Sequence, residues 1–244
     1  MWKVWEPIIR KKAGLGALAL DYQPEYHDKA FLFVDIAVVG AGPAGLTAAL
    51  NAANAGAKVL LVEQQSYLGG ALAWARFDIA GQRADALRHA LLTAVEGHPN
   101  IRILKDATCN AWFTDHYLPV IQGNRLYKVR ARQCIVAAGA FDQPVVFRNN
   151  DLPGVMNGSA MQRLIYRFAV RPARRAVVLA ANADGYRVAL DLAAAGCTVA
   201  GGHAQEQQHG DHSSHSAASA ASAAASSVAG VGIVHCAPLP SSVH

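Results

Sequence analysis

The stretch from Val34 to Glu63, VDIAVVGAGPAGLTAALNAANAGAKVLLVE, restricts the fold more than any other part of the chain. Ile36 to Val39 is an apolar run of the length that a buried parallel strand needs, and Gly40-x-Gly42-x-x-Gly45 follows it directly. An Ala- and Leu-rich helical stretch runs from Pro43 to Ala55 and is stopped by Gly56. Val59 to Val62 then makes a second buried strand, closed by the acidic Glu63. Strand, glycines, helix, strand and terminal acid in this order form a complete βαβ unit, with the acid roughly 20 residues beyond the glycines. Gly40 permits the tight turn, Gly42 lets backbone N–H groups approach a pyrophosphate, and Gly45 lets the helix lie close to the strand. Pro43 and Ala44 open the helix, whose positive end faces the phosphates. Glu63, with Gln64 beside it, is placed to accept hydrogen bonds from ribose hydroxyls, and its charge repels a 2′-phosphate. The expected ligand is FAD or NAD.

Composition excludes several function classes. The 22 basic and 17 acidic residues are scattered, and the tightest basic clusters, Arg10-Lys11-Lys12 and Arg171 with Arg174-Arg175, have no interleaved aromatics. That reads as solvated surface, so no nucleic-acid partner is expected. Cysteines at 109, 134, 197 and 236 show no C-x-x-C spacing, which fits a reducing, cytoplasmic compartment and removes disulfide-exchange chemistry. Residues 36 to 57 are long and nearly uncharged, yet Pro43, Asn51, Asn54 and the glycines argue against a membrane span. No signal peptide is evident.

Residues 1–33 read as an approach segment, with Val4, Ile8, Ile9 and Leu15 on a short amphipathic helix and Trp2 and Trp5 as packing residues. The FAD/NAD(P)-binding domain is expected over 34–156. Leu68-Gly69-Gly70 brings the chain close to a cofactor's phosphates, and Arg83 to Val95 has helical spacing. Ile101 to Leu104, Thr108 to Phe113, Tyr117 to Ile121 and Leu126 to Arg132 read as strands of a small antiparallel meander inserted between the halves of the domain. Gln133 to Ala140 is a further buried strand, whose end at Ala138 and Gly139 passes a cofactor without side-chain collision; Cys134 is a core residue there.

A second, incomplete βαβ unit is expected over 157–200. ALNAANAGAKV at 49–59 returns as ALDLAAAGCTV at 189–199, an offset of 140 residues. The offset converts the three motif glycines to Ala180, Asn182 and Gly185, and Glu63 to His203. The packing glycine survives, whereas the turn glycine, the phosphate-approach glycine and the ribose acid do not. This copy is therefore structural rather than a second nucleotide site. From Gly201 to His244 the chain turns Ala/Ser/His/Gly-rich, with six of the ten histidines, at 203, 209, 212, 215, 235 and 244. Outside Val228 to Val234 it has little apolar periodicity, so 201–244 is expected to be disordered and to hold no metal. A shifted reading frame or a truncated gene accounts for such a break inside a βαβ unit.

Several stretches together carry a family resemblance: VWEPIIRKKAGLG (4–16), YHDKAF (26–31), VVGAGPAGL (38–46), LGG (68–70), AAGAFDQPVVFRNNDLPGVM (137–156) and RRAVVLAANADGYRVALDLAAAG (174–196). On these, residues 1 to 200 resemble the α subunit of heterotetrameric sarcosine oxidase and the related α subunits of opine oxidases and dye-linked proline dehydrogenases. The resemblance implies a Rossmann-like α/β domain of the two-dinucleotide-domain flavoprotein (glutathione/thioredoxin reductase-like) type. It implies oxidation of secondary amines such as N-methylglycine in an assembly with a β-type flavoprotein subunit. FMN belongs only to such an intact assembly. Carried over by position, the dinucleotide residues are Gly40, Gly42, Gly45, Glu63, Gly69, Gly70 and Gly139. Sarcosine-type α subunits begin with a ferredoxin-like domain and end with a folate-binding domain, neither of which is in this sequence, so it reads as a fragment with no assignable catalytic residue. Two rival readings are a free-standing NAD(P)H-dependent flavin reductase, which needs a competent second nucleotide site, and a non-catalytic truncated subunit.

Overall fold

In the computed structural model the described residues are 2–14, 20–76, 78–79, 81–144, 146–180, 184–204 and 232–236. Helix α1 (Trp2–Ala13) leads into β1 (Asp28–Val39), α2 (Pro43–Asn54) and β2 (Val59–Val62). A small hairpin, β3 (Asp78–Ile79) and β4 (Gln82–Arg83), precedes α3 (Ala84–Glu96). β5 (Ile101–Leu104), β6 (Ala107–Cys109), β7 (Tyr117–Gln122) and β8 (Arg125–Val136) complete the first unit. β9 (Val155–Asn157), α4 (Gly158–Phe168), β10 (Arg175–Ala180), α5 (Asp184–Ala194), β11 (Thr198–Ala204) and β12 (Gly232–Cys236) form the second.

The first sheet has the order β5-β2-β1-β8-β7-β6. α2 and α3 provide the crossovers that make β1, β2 and β5 parallel, β8 returns parallel to β1 after β6 and β7, and the Gly123-Asn124 turn makes β7 and β8 an antiparallel hairpin. Leu46, Ala49 and Ala53 of α2 pack with Val38, Val59 and Leu61 on one face. Leu60 and Val62 turn to the other face, where the β6–β7–β8 hairpins supply Leu118, Val120 and Val129. β2 is thus buried on both faces, as its unbroken Val-Leu-Leu-Val run requires.

Three strands differ from the sequence reading. β6 stops at Cys109 rather than Phe113. β1 begins at Asp28 rather than Ile36, and β8 is one continuous strand where the sequence divides it at Gln133, ending at Val136 on an open edge rather than running buried to Ala140. The two pair in parallel from Asp28↔Arg125 to Val39↔Val136. Ala30, Leu32 and Val34 pack on the core while Phe31 and Phe33 stay exposed, so this stretch of β1 has a strand's alternation. The meander is therefore an extension of the main sheet. In α1 no residue is buried, and Trp2 and Trp5 are exposed rather than packed.

The second sheet has the order β11-β10-β12-β9, with β10–β11 parallel around α5. Its core joins Met161 of α4 to Val178, Val188 and Leu192. Two pieces of the tail carry strand where the sequence reading has no ordered element: 201–204 complete β11, and β12 pairs antiparallel with both β10 and β9. The β-branched Ile233-Val234 pair favours a strand there. Residues 205–231 and 237–244, with most of the histidine-rich stretch, lie outside the described residues.

Candidate dinucleotide-binding site

The carboxyl ends of β1, β2 and β8 meet at one edge of the first sheet, where the glycine-rich loop leaves β1. Gly40 donates its N–H to the Val62 carbonyl at 2.8 Å, and Ala137 donates to the Val39 carbonyl at 2.8 Å. Gly40 has φ +101°, and a Cβ on it would run into the Ala137 carbonyl. A Cβ on Gly45 would in turn meet the Gly40 carbonyl group. Both glycines are thus fixed by protein backbone, and they set how near α2 comes to β1.

Gly42 differs in kind. It is the N-cap of α2, with φ −71° and ψ −177°, and no atom lies within 4 Å of where its Cβ would stand. No side chain caps the helix, and Pro43 occupies its first turn, so the backbone donors at Ala44 and Gly45 are left for a ligand or water. This open, uncapped helix end is the shape and polarity that a pyrophosphate needs.

The Gly69–Gly70 pair closes on this loop. Gly69 donates its N–H to the Ala41 carbonyl at 2.8 Å, and a Cβ on Gly70 would stand 2.9 Å from the Gly42 Cα. Arg88 of α3 braces the pair by donating from Nε to the Leu68 carbonyl at 3.1 Å. It packs so closely that a Cβ on Gly69 would be 2.6 Å from that nitrogen.

Glu63 is 9% exposed at the end of β2. Its Oε2 accepts from the Ala41 N–H at 2.7 Å and its Oε1 from the Gln65 N–H at 2.8 Å. The acid that ends the motif is therefore tied to the middle of the glycine-rich loop, a contact that the spacing alone does not reveal. An ionised carboxylate has about four acceptor positions, so both oxygens keep capacity for hydroxyl donors.

Of the residues singled out from sequence, the structure gathers Gly40, Gly42, Pro43, Ala44, Gly45, Glu63, Gly69 and Gly70 around this edge. Ala138 adjoins Gly40, while Gln64 and Gly139 are exposed. Sequence reasoning missed Ala41, Ala137 and Arg88. The first two act through the backbone, and Arg88 sits in an ordinary amphipathic helix with no motif to mark it.

The second unit answers the offset prediction. A Cβ on Gly185 would collide with the Ala180 side chain, so Gly185 still serves helix–strand packing. Ala180 fills buried space, and Asp184, paired with Arg187 at 3.5 Å, occupies the first turn of α5 with an acid where the first unit has only Pro, Ala and Gly. Asn182 lies outside the described residues. Among the described thiols, burial pushes Cys109 and Cys134 up, the latter also through Cys109, and buried Cys197 donates to the Ala173 carbonyl at 3.0 Å. Among the described residues no helix is long and apolar enough to cross a membrane.

Known proteins similar to this chain place it among flavoproteins. Residues 35–93 match the family described as FAD dependent oxidoreductase. The chain is 35% identical over 217 residues to the sarcosine oxidase α subunit of Rhizobium meliloti, an alignment covering 82% of this chain and 22% of that one. Over most of its own length the chain is similar to sarcosine oxidase α subunits. It spans about a fifth of the length of such subunits. An opine oxidase chain of the same organism, the A component of that enzyme, is 29% identical over 66% of this chain and 36% of its own length. Among solved structures, L-proline dehydrogenase from P. horikoshii aligns with TM-score 0.62 and 25% identity, over 75% of this chain and 37% of that chain. The chain thus has the two-dinucleotide-domain flavoprotein fold, and its residues 35–93 match an FAD-dependent oxidoreductase family.

Proposed function

We propose that this chain holds the ADP half of FAD or NAD in the Gly40–Gly45 loop, as the dinucleotide-binding part of an assembly that oxidises secondary amines. The observation that carries this reading is the Glu63 carboxylate bonded to the Ala41 N–H beside the open face of Gly42. In this arrangement a negative group marks the ribose end and uncapped helix donors mark the phosphate end. A bound FAD would supply hydride acceptance from a carbon next to nitrogen. The chain's own residues orient the dinucleotide: Gly42, Ala44 and Gly45 offer backbone donors, Gly70 keeps the approach clear, and Glu63 selects a free 2′-hydroxyl.

The relatives are named as subunits, which supports a partner that carries the amine site, of the β-type flavoprotein kind. A free-standing NAD(P)H-dependent flavin reductase is disfavoured by Ala180 and Asp184, which spoil a second pyrophosphate cradle. Calorimetric titration of the purified chain with FAD, NAD+ and NADP+ tests the reading. FAD or NAD+ should bind at one per chain, with NADP+ much weaker. Equal binding of NADP+ would remove the role given to Glu63, and no binding of any of the three would remove the site.

A further inference from the structure

Helix α4 meets the first unit through interleaved arginine–aromatic stacks. The guanidinium carbon of Arg167 lies 3.5 Å from the Tyr67 ring centroid, and that of Arg163 lies 4.6 Å from the Trp74 ring. In the reverse sense, Arg76 sits over the Tyr166 ring at 4.5 Å. Arg163, Tyr166 and Arg167 are spaced i, i+3, i+4, so they share one face of the helix. Tyr67 on one side and Trp74 with Arg76 on the other bracket the Gly69–Gly70 turn. That same turn packs on Gly42 and bonds to Ala41.

The helix is anchored on its far side in the second unit. The Tyr166 hydroxyl donates to Asp191 of α5 at 2.6 Å, and the Gln162 amide donates to the same carboxylate at 2.8 Å. Burial and that bond push the Tyr166 phenol up to about 12, so it stays a neutral donor through the ordinary pH range. A continuous set of contacts therefore runs from α5 through α4 to the glycine-rich loop.

We infer that α4 is a clasp: its stacks hold the Gly69–Gly70 turn against the cradle, so that docking of the second unit sets how tightly and how long a dinucleotide stays bound. The inference rests on the site reading above and adds positioning residues outside it. A turn built on two glycines is costly to order, because glycine has the most freedom to lose. Stacks that order it before the ligand arrives leave less for the ligand to offset. By reciprocity, a bound dinucleotide should tighten the stack and change Trp74 emission.

The test uses the full chain, with FAD and NAD+ as probes, reading Kd by calorimetry and dissociation rate by stopped flow. Arg167→Ala and Tyr67→Leu should each weaken binding by up to about two- to fivefold, the worth of one exposed stack, mainly through faster release. The double variant should be no weaker than the worse single one, since both remove one contact. Arg167→Lys keeps a cation over the ring and should recover part of the loss. Val120→Ala, in the hairpin core of the first unit and away from α4, should lower the unfolding temperature and leave Kd unchanged. Unchanged Kd in both stack variants would overturn the clasp, as would an equal loss in Val120→Ala. A wild-type chain that binds neither probe would instead overturn the cradle and the clasp together.

Discussion

Gly42 and Gly45 stand three residues apart in one motif, yet the structure assigns them opposite sensitivities, and a pair of substitutions separates them. At Gly42 the backbone is in a conformation that any residue adopts, and no protein atom lies within 4 Å of a new Cβ. Gly42→Val should therefore cost the fold only a weaker helix cap, about 1 kcal/mol or less. Its methyl groups would stand between the phosphates and the N–H groups of the first turn. Losing two charge-assisted hydrogen bonds at about 1.5–3 kcal/mol each weakens dinucleotide binding by roughly 10²- to 10⁴-fold. Gly45→Ala reverses the pattern. Its Cβ would lie 2.9 Å from the Gly40 carbonyl carbon, where ordinary contact begins near 3.4 Å, and nearer still to the oxygen. Both atoms are backbone, so no side chain can swing away, and overpacking of this kind costs about 1–3 kcal/mol or more. Urea unfolding reads the stability and calorimetry with FAD or NAD+ reads the binding. A Gly42→Val chain that binds with near-native affinity, or a Gly45→Ala chain as stable as the parent, would refute the reasoning.

Other outcomes follow from the same contacts. Glu63→Gln keeps one acceptor but removes the charge that holds Ala41 and Gln65, and should lose about 1–2 kcal/mol of stability in urea while narrowing the preference for NAD+ over NADP+ in competition binding. Leu192→Ala, fully buried on the inner face of α5, should cost about 2–5 kcal/mol in the same unfolding assay. Because burial raises the Cys109 and Cys134 thiols, their thiolate fraction at pH 8 is lower than that of a free thiol, and alkylation monitored by mass spectrometry should be slow there and accelerate above pH 9. Tyr166 rises from an ordinary value of 10.0 to about 12, so its bond to Asp191 supports the fold below pH 10 and loses that support between pH 10 and 12. Thermal unfolding of the parent should fall more steeply in that window than that of Tyr166→Phe.

The cradle was legible because its parts are local. Strand, turn, helix and second strand lie within Ile36–Glu63, and each residue's task follows from the spacing of neighbours along the chain. The long pairing of β1 with β8 was not legible, since Asp28 and Arg125 meet only when the chain has wrapped round α2, β2, α3 and the β6–β7 hairpin. Alternation in Ala30–Val34 is present in the sequence, but periodicity alone does not say which partner a strand takes. Arg88 and the α4 stacks were invisible for a related reason. They are side chains of ordinary amphipathic helices, and their meaning depends on what lies 20 or 100 positions away.

The degenerate second unit sharpens what the first one is for. Both units keep the glycine that lets a helix lie on its strand: Gly45 against the Gly40 carbonyl, Gly185 against Ala180. That constraint comes from the fold alone and holds with or without a ligand. The unit with Gly40, Gly42 and Glu63 leaves an open, uncapped helix end with an acid tied across it. The unit with Ala180 and Asp184 has a Cβ at the turn and a negative charge at the helix start. Gly40 and Glu63 also hold the loop itself, through the close Ala137 carbonyl and the Ala41 and Gln65 N–H groups, whereas no such contact in the fold demands a glycine at 42, so the residues differing between the units, rather than the shared one, are those the proposal assigns to a ligand. The second unit keeps a use all the same, because Asp191 on its helix anchors α4, and α4 reaches back to the turn that covers Gly42.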